Sequence, residues 1–278
     1  MNRSMITASV TMGQIQSQLD TISHNLTNSQ TVGFKRSEAS FHDLLSQQLT
    51  NQSRGNLEVG RLTPMGLTIG AGAKIGQTAL RLEQGAIQTT DRELDFALTK
   101  PNHFFRVEAA DGTVERLTRA GNFYLTANAA NPEQLTLVSA SGDFLLDNQG
   151  ERIIIPEDFA SFQLHNNGQL LVTLADGSVE EVANLGIRQV HNAQVLVPVG
   201  ENQFELADLA TLGYAEADVI EDVNANEIAL MQKALEGSNV DMAKEMSDLM
   251  IAQRHYQFNS TAISMADQMA GLVNGIRG

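Results

Sequence analysis

The sequence predicts an α+β fold in which long N- and C-terminal helices form a coiled-coil-like unit, with a central antiparallel β domain that is sandwich or barrel-like. Both ends carry apolar heptads, all five prolines lie between residues 64 and 198, and short strands separated by turns fill the middle. These observations divide the chain into an N-terminal helical segment (1–50), an extended linker (51–80), the β domain (81–220) and a C-terminal helical segment (221–278) that packs with the N-terminal one.

The first segment has the pattern of one long helix followed by a stop. After Leu26 a run of polar residues leads to Gly33, which suits the left-handed backbone found beyond helix ends. A second helix is predicted from Ser37 to Gln48. The apolar residues of the first helix alternate spacings of three and four, which places them in one narrow stripe: Met5, Ala8, Met12, Ile15, Leu19, Ile22 and Leu26.

The C-terminal segment repeats this pattern. Ser238 and Asp241 fit a capping box, and a helix of about 35 residues at ~1.5 Å per residue would be about 50 Å long. Such a helix is longer than a small domain is wide, so it cannot bury its whole stripe against its own chain. The competing interpretation is that each stripe packs on the central domain. The stripe comprises Leu249, Ala252, Tyr256, Asn259, Ile263, Ala266, Ala270 and Val273, flanked by Met242, Met246, Met269 and Leu272.

Turn signals punctuate the middle of the chain and predict antiparallel hairpins. The signals are Asp111-Gly112, Asn148-Gln149-Gly150, Asn167-Gly168 and Asp176-Gly177. Apolar runs that read as strands lie on both sides of these turns. We therefore expect consecutive strands to pair in this region. The predicted strands cover 104–108, 113–117, 135–138, 169–175 and 178–182.

Composition excludes several classes of function. The 278 residues carry a formal net charge of -15, and residues 61–220 account for -11 of it. Such an acidic balance argues against nucleic-acid binding, which depends on clustered Lys and Arg. The chain has no cysteine, so disulfide frameworks, zinc ribbons and thiol nucleophiles are excluded. No apolar run is long enough to span a bilayer, and the N-terminus lacks the hydrophobic core of a cleaved signal peptide.

Catalytic motifs are absent from the sequence, which favours a structural or interaction protein. The acidic residues Asp91, Glu93 and Asp95 alternate with Arg92 and Leu94, so on a strand their carboxylates share one face. Solvated strand faces commonly look like this, but a cell-wall-acting hydrolase that uses these acids remains an alternative. A trimeric coiled-coil surface or fibre protein is a further alternative. We predict no catalytic, cofactor or metal site; the histidines are dispersed, without ligand spacing.

The segment from Leu19 to Arg36 resembles the N-terminal signature of the bacterial flagellar axial proteins of the rod and hook. The matching residues are Asn25, Leu26, Asn28, Thr31, Gly33, Phe34, Lys35 and Arg36. The C-terminus is similar to the closing helix of that family through Ser238 to Asp241, Glu245-Met246, Ile251, Gln253-Arg254, Tyr256, Asn259-Ser260 and Asp267. The middle resembles its β domain through Gln84-Gly85, Asp95 to Leu98, Phe104-Phe105 and Thr118 to Phe123.

The sequence departs from the family pattern at three places. His24 and Thr27 replace the usual Asn and Ala, and residues 99–103 replace a glycine-rich turn before the double Phe, so the contacts of that loop are not carried over. Chain length points within the family to a distal-rod or hook-basal-body protein.

The resemblance implies a non-enzymatic axial subunit of the basal body that self-assembles into a helical tube through its terminal helices. Its implied partners are copies of itself, other rod and hook subunits and the flagellar type III export apparatus. Export would proceed without a cleaved signal. We expect the helices to form the inner wall and the acidic β domain the outer layer. The expected assembly interface comprises Ile15, Leu19, Ile22, Asn25, Leu26, Asn28, Gly33, Phe34, Leu249, Tyr256, Asn259, Ile263 and Val273.

Overall fold

The computed structural model confirms an α+β chain with a long helix at each end and a β-rich, mostly antiparallel central region. It divides into two compact units. The helical unit combines Met1–Leu26, Ser37–Ala79 and Met242–Gly278, and the β unit combines Thr27–Arg36 with Leu80–Asp241. The residues that the structure describes are 2–43, 47–49, 67–69, 73–109, 112, 114–128, 131, 134–224 and 227–277.

The helices and strands are numbered in chain order. The helices are α1 (Asn2–Thr27), α2 (Leu209–Leu212), α3 (Glu216–Val219) and α4 (Met242–Arg277), and a 3-10 turn spans Ala193–Val195. The strands are β1 (Ser37–Asp43), β2 (Gln47–Leu49), β3 (Leu67–Ile69), β4 (Ala73–Leu80), β5 (Ile87–Thr89), β6 (Phe96–Leu98), β7 (His103–Glu108), β8 (Glu115–Thr118), β9 (Tyr124–Ala127), β10 (Gln134–Val138), β11 (Phe144–Leu145), β12 (Ile154–Pro156), β13 (Phe159–Leu164), β14 (Gln169–Leu174), β15 (Val179–Asn184), β16 (Ile187–Val190), β17 (Leu196–Gly200), β18 (Gln203–Leu206), β19 (Ile220–Asp222), β20 (Leu230–Gln232) and β21 (Ala234–Glu236).

The helical unit contains the two long helices and two short sheets. Helix α4 has 36 residues, which agrees with the predicted length of about 35. It begins at Met242, directly after Asp241, while the Ser238 hydroxyl accepts a hydrogen bond from the Val240 N–H at 3.3 Å. Strand β1 pairs with β4, and β2 pairs antiparallel with β3.

A ten-stranded sheet dominates the β unit. Its strand order is β12-β10-β11-β7-β8-β18-β17, with β16 also on β7, β19 on β16 and β9 on β10. A three-stranded antiparallel sheet, β13-β14-β15, and the two-stranded sheets β20-β6 and β21-β5 complete the unit. The last two pairs join the segment just before α4 to strands more than 100 residues earlier.

Two apolar clusters form the core of the β unit. The larger includes Phe105 and Phe123, both fully buried, whose rings meet edge to face with centroids 5.3 Å apart. The smaller contains Phe104 and Phe204, again edge to face at 5.9 Å. Buried aromatic pairs of this kind contribute about 0.5–1.5 kcal/mol beyond their area. The adjacent residues Phe104 and Phe105 therefore serve different cores, because side chains alternate along a strand.

The predicted hairpins are confirmed, with glycine where the backbone requires a left-handed conformation. Gly168 (φ 90°) closes β13 onto β14, and Gly177 (φ 85°) closes β14 onto β15. Gly150 (φ 84°) lies in the turn bridged by Leu146 and Arg152. Strands β7 and β8 pair as expected, although Asp111 in the intervening turn lies outside the described residues.

The predicted helix from Ser37 to Gln48 is wrong. Residues Ser37–Asp43 form strand β1 and Gln47–Leu49 form β2; residues 44–46 lie outside the described part of the chain. Long-range pairing with β4 outweighs the weak helical spacing of Phe41 and the leucines that follow it. Most of the predicted linker, 51–66 and 70–72, also lies outside the described residues, and its remainder carries β3 and β4.

Candidate assembly interface

Residues from the predicted stripes of α1 and α4 meet in one small hydrophobic cluster. Ile15 and Ile22 of α1 and Ala252 of α4 are buried, at 6%, 6% and 2% exposure. Leu19, Leu249 and Tyr256 pack against them. The alternating spacing of three and four brings these side chains to one face of each helix. The structure thus brings together five of the predicted interface residues: Ile15, Leu19, Ile22, Leu249 and Tyr256.

The predicted stripe becomes more exposed further along α4. Asn259 and Ile263 are half-buried, and Val273 is 52% exposed. The Asn259 amide donates to the His255 carbonyl at 2.9 Å, one turn earlier in its own helix. The second half of this stripe is therefore only partly covered within the chain.

A second apolar stripe runs along the same half of α4 and is largely exposed. Its members follow one another at spacings of seven, four, three and four, and at 100° per residue they cluster on one side, away from Ile263 and its stripe. Sequence reasoning noted Met269 and Leu272 only as flanking residues and missed this seam. We call it the outer seam; it comprises Phe258 (73% exposed), Met265 (56%), Met269 (56%), Leu272 (65%) and Ile276 (86%).

Asn25 lies at the end of the α1 stripe and fixes the path of the chain nearby. It is 2% exposed, and its side chain bonds both backbone groups of Ser37. The Ser37 N–H donates to Asn25 Oδ1 at 3.0 Å, and Asn25 Nδ2 donates to the Ser37 carbonyl at 2.8 Å. The side-chain amide thus makes the two hydrogen bonds to Ser37, at the start of β1, that a residue of a neighbouring strand would make. Leu26, the next residue, is half-buried.

The turn after α1 uses Asn28, Gly33 and Phe34. Asn28 Oδ1 accepts a hydrogen bond from the Thr31 hydroxyl at 3.2 Å. Gly33 has φ 69°, and a Cβ at this position would lie 2.5 Å from the backbone of Arg119 and Ala120. Phe34 is buried, at 6% exposure. Only glycine fits where the turn approaches another backbone this closely.

Lys35, the residue after Phe34, belongs to a buried ion cluster. Lys35, Arg119 and Glu236 each have side chains at most 1% exposed. Lys35 Nζ lies 2.8 Å from Glu236 Oε1, and Arg119 Nε lies 2.6 Å from Glu236 Oε2. One carboxylate thus serves two cations, one on each oxygen. The Gly85 N–H also donates to Oε1 at 2.9 Å.

Backbone carbonyls accept further hydrogen bonds from these two cations. Lys35 Nζ donates to the Glu83 carbonyl at 2.7 Å. Arg119 donates through Nη2 to the Leu98 carbonyl at 3.3 Å and through Nη1 to the His103 carbonyl. Burial, and then Arg119, lowers the pKa of Lys35, while Glu236 opposes the shift. Burial likewise lowers the pKa of Arg119 against the opposing effect of Glu236.

Asn239 makes a second connection between the same parts of the chain. The Arg36 N–H donates to Asn239 Oδ1 at 2.7 Å, and Asn239 Nδ2 donates to the Arg81 carbonyl at 2.8 Å and the Glu83 carbonyl at 3.0 Å. The Gly33 N–H donates to the Glu236 carbonyl at 2.8 Å. The motif residues of both ends therefore meet in the β unit. Sequence reasoning assigned no role to Arg119, Glu236 or Asn239.

The carboxylates of Asp95 and Glu93 in the acidic triplet have separate partners. Asp95 is 4% exposed and accepts from the Thr90 hydroxyl at 2.8 Å, with Arg92 at 3.4 Å. Glu93 instead accepts from the Phe162 N–H at 3.2 Å. These bonds tie the two carboxylates to separate neighbours, and Asp91 is exposed. Within the described ranges, no group of three His, Asp or Glu residues is placed to hold a metal ion.

Among the described residues, no helix combines the length and the apolar composition that crossing a membrane requires.

Comparison with known proteins gives consistent results along the chain. Residues 100–172 match the family described as "Flagellar hook protein FlgE/F/G D1 domain", and residues 231–276 match "Flagellar basal body rod FlgEFG protein C-terminal". The flagellar hook-basal body complex protein FlhP of Bacillus subtilis (strain 168) is 40% identical over 279 residues, covering 100% of both chains. The flagellar basal-body rod protein FlgG of the same organism is 32% identical over 97% of each chain. FlgG of Agrobacterium fabrum is 33% identical over 98% of each.

Proposed function

The chain belongs to the family of flagellar hook and basal-body rod proteins, and on that premise we propose that it is a non-enzymatic axial subunit that assembles through its terminal helices into a helical tube. Its partners are copies of itself and other rod and hook subunits. The uncovered outer seam of α4 is the observation that carries the assembly role. We include in the proposal export through the flagellar type III apparatus without a cleaved signal.

The outer seam supports contact with another subunit because of its length and exposure. Its five residues run from Phe258 to Ile276, and each is more than half exposed. A helix of this kind is poorly stable without burial, since propensity alone rarely offsets the cost of ordering a chain. A neighbouring subunit would remove this apolar surface from water, which contributes about 25 cal/mol per Å².

The predicted stripe and the outer seam of α4 give each subunit two different contact surfaces. The predicted stripe meets α1 through Leu249 and Tyr256, and in our proposal the coiled-coil-like pairing continues along Asn259, Ile263 and Val273. The outer seam then serves a second neighbour. Contacts between different patches generate an open helical array instead of a closed dimer. A tube is the expected product.

The N-terminal members of the proposed interface have two roles. Ile15, Leu19 and Ile22 supply the apolar surface that meets α4. Asn25, Leu26, Asn28, Gly33 and Phe34 set the course of the chain after the helix, and any contact that they make with a neighbouring subunit stays a prediction.

Charge insertion on α4 tests the proposal. Ile263→Asp and Met265→Asp place a carboxylate in the predicted stripe and the outer seam, respectively. Ser264→Asp is the matched control, because Ser264 is exposed and lies at a helical position outside both stripes. Each variant is expressed in a strain that lacks the protein. Swimming in soft agar and the amount of protein in isolated basal bodies are then measured.

We expect Ile263→Asp and Met265→Asp to lose incorporation and motility, and Ser264→Asp to retain them, because a buried unpaired carboxylate is costly whereas a solvated one is not. Circular dichroism of each purified variant verifies that the β unit stays folded. Normal incorporation of Ile263→Asp and Met265→Asp would contradict the assembly role of α4.

A further inference from the structure

The buried ion cluster joins segments that are far apart in sequence. Lys35 and Glu236 are 201 residues apart, and Arg119 and Glu236 are 117 apart. We call residues 32–36 the N-latch segment and residues 234–239 the C-latch segment. Besides the ion pairs, they share the hydrogen bonds from Gly33 N–H to the Glu236 carbonyl and from Arg36 N–H to Asn239 Oδ1.

The charge arrangement is asymmetric. Two cations, Lys35 and Arg119, share the single carboxylate of Glu236. Glu83 contributes its backbone carbonyl to Lys35, and its own side chain bonds Arg36 at 3.3 Å, where the carboxylate is 67% exposed. Glu236 is therefore the buried anion of this site. Removing it would leave two like charges together in a buried site, which is far more costly than breaking a surface pair.

We propose that Glu236 is an electrostatic latch: the N-latch segment takes its bound position only when the C-latch segment is also in place. Without the C-latch segment, Lys35 entering the site would meet the charge of Arg119, and the exposed carboxylate of Glu83 would offset it only weakly. With it, the carboxylate binds both cations and fixes the Gly85 N–H at 2.9 Å. Both latch segments then close together or open together, which couples the chain on either side of the β unit.

The latch gives a subunit two states: closed, with both latch segments bound, and open, with both latch segments released. Residues 28–31 connect α1 to the N-latch segment and residues 240–241 connect the C-latch segment to α4, so an open latch frees both of these connections. This inference goes beyond the proposed axial function. Its test uses the isolated full chain in solution, so a failed latch test would leave the assembly proposal unaffected.

Competitive lysine labelling reports on the latch directly. The purified full chain is treated with a limiting amount of an amine-acylating reagent, and mass spectrometry measures modification at each lysine. Lys35 has no exposed side-chain surface, whereas Lys74 and Lys100 are exposed and serve as internal references. We expect Glu236→Gln, which keeps the shape and removes the charge, to raise Lys35 labelling relative to these references by about tenfold or more.

A second variant separates the charge argument from simple packing. Lys35→Met removes one cation and leaves Arg119 and Glu236 as a balanced pair. It should keep the Gly33 and Gly85 amides protected from hydrogen exchange, whereas Glu236→Gln should lose that protection. The double variant Lys35→Met with Glu236→Gln should recover part of it, because fewer like charges remain to be buried.

Amides in the β13-β14-β15 sheet indicate whether each variant is folded. The latch is overturned if Lys35 in folded Glu236→Gln is labelled as slowly as in the unchanged protein. It is equally overturned if Lys35→Met loses Gly33 and Gly85 protection to the same extent as Glu236→Gln, because a packing role alone would give that result. If Glu236→Gln unfolds globally, Lys35→Met decides by comparison with the unchanged protein: retained Gly33 and Gly85 protection supports the latch, and loss of that protection overturns it.

Discussion

Asn25 and Ser37 exchange two hydrogen bonds across twelve positions of the chain, at 3.0 Å and 2.8 Å. One side-chain amide thus supplies both the acceptor and the donor that a backbone residue requires. Because Asn25 is 2% exposed and Ser37 is half-buried, loss of the amide leaves the two Ser37 groups with restricted access to water. The asparagine of the resemblance motif therefore joins the end of α1 to the start of β1.

Replacing Asn25 with Ala is expected to lower the free energy of unfolding by about 1–3 kcal/mol, because it leaves the Ser37 N–H and carbonyl without partners. Urea denaturation followed by circular dichroism measures the change. Gln16→Ala, at an exposed position of the same helix, is the control and should change stability by less than about 0.5 kcal/mol. Equal effects of the two substitutions would contradict the role assigned to Asn25.

Gly33 and Gly13 should respond to the same substitution with opposite sign. A Cβ at Gly33 would lie 2.5 Å from the backbone of Arg119, at φ 69°. Alanine there is expected to cost about 2 kcal/mol or more, because neither backbone can move cheaply. At Gly13, inside α1, a Cβ would meet nothing within 4 Å, so alanine should stabilise by about 0.5–1 kcal/mol.

Thermal unfolding of both glycine variants, measured side by side, checks these values. A Gly33→Ala protein as stable as the unchanged chain would mean that the turn after α1 does not approach the Arg119 backbone as described.

The features predicted correctly from the sequence have local causes. The stripe from Ile15 to Ile22 reflects helical periodicity, and the Asp176-Gly177 turn reflects the left-handed backbone that glycine permits. The same reasoning failed at Ser37, whose strand conformation depends on Asn25 and on pairing with β4. Nothing within the segment 37–48 carries that information.

The ion cluster could not be predicted for a related reason. Lys35 and Arg119 belong to the matched motifs, but Glu236 resembles any other acidic residue of a chain with 33 of them. Its role depends on the pairing of β21 with β5, a contact across about 150 residues that periodicity cannot show. The outer seam of α4 was detectable, since Phe258, Met265 and Leu272 are seven residues apart; it was overlooked beside the stronger stripe.

His103 makes the stability of the β unit dependent on pH. It is 1% exposed, and its Nδ1 has no hydrogen-bond partner within the described structure. Burial, followed by the charges of Lys100 and Arg119, lowers the pKa of His103 from 6.5 to about 4. Between these values the unfolded chain binds a proton that the folded chain does not. The contribution of His103 is therefore fully present above about pH 6.5 and is lost as the pH falls towards 4.

Replacing His103 with Gln, which cannot take up this proton, should flatten the dependence. We expect the free energy of unfolding of the unchanged protein to fall between pH 7 and pH 5 by on the order of 1–2 kcal/mol more than that of the variant. This window lies above the range in which most carboxylates titrate. His255→Gln, at an exposed position of α4, is the control and should follow the unchanged protein. Parallel pH curves for His103→Gln and the unchanged protein would show that His103 is not the group responsible.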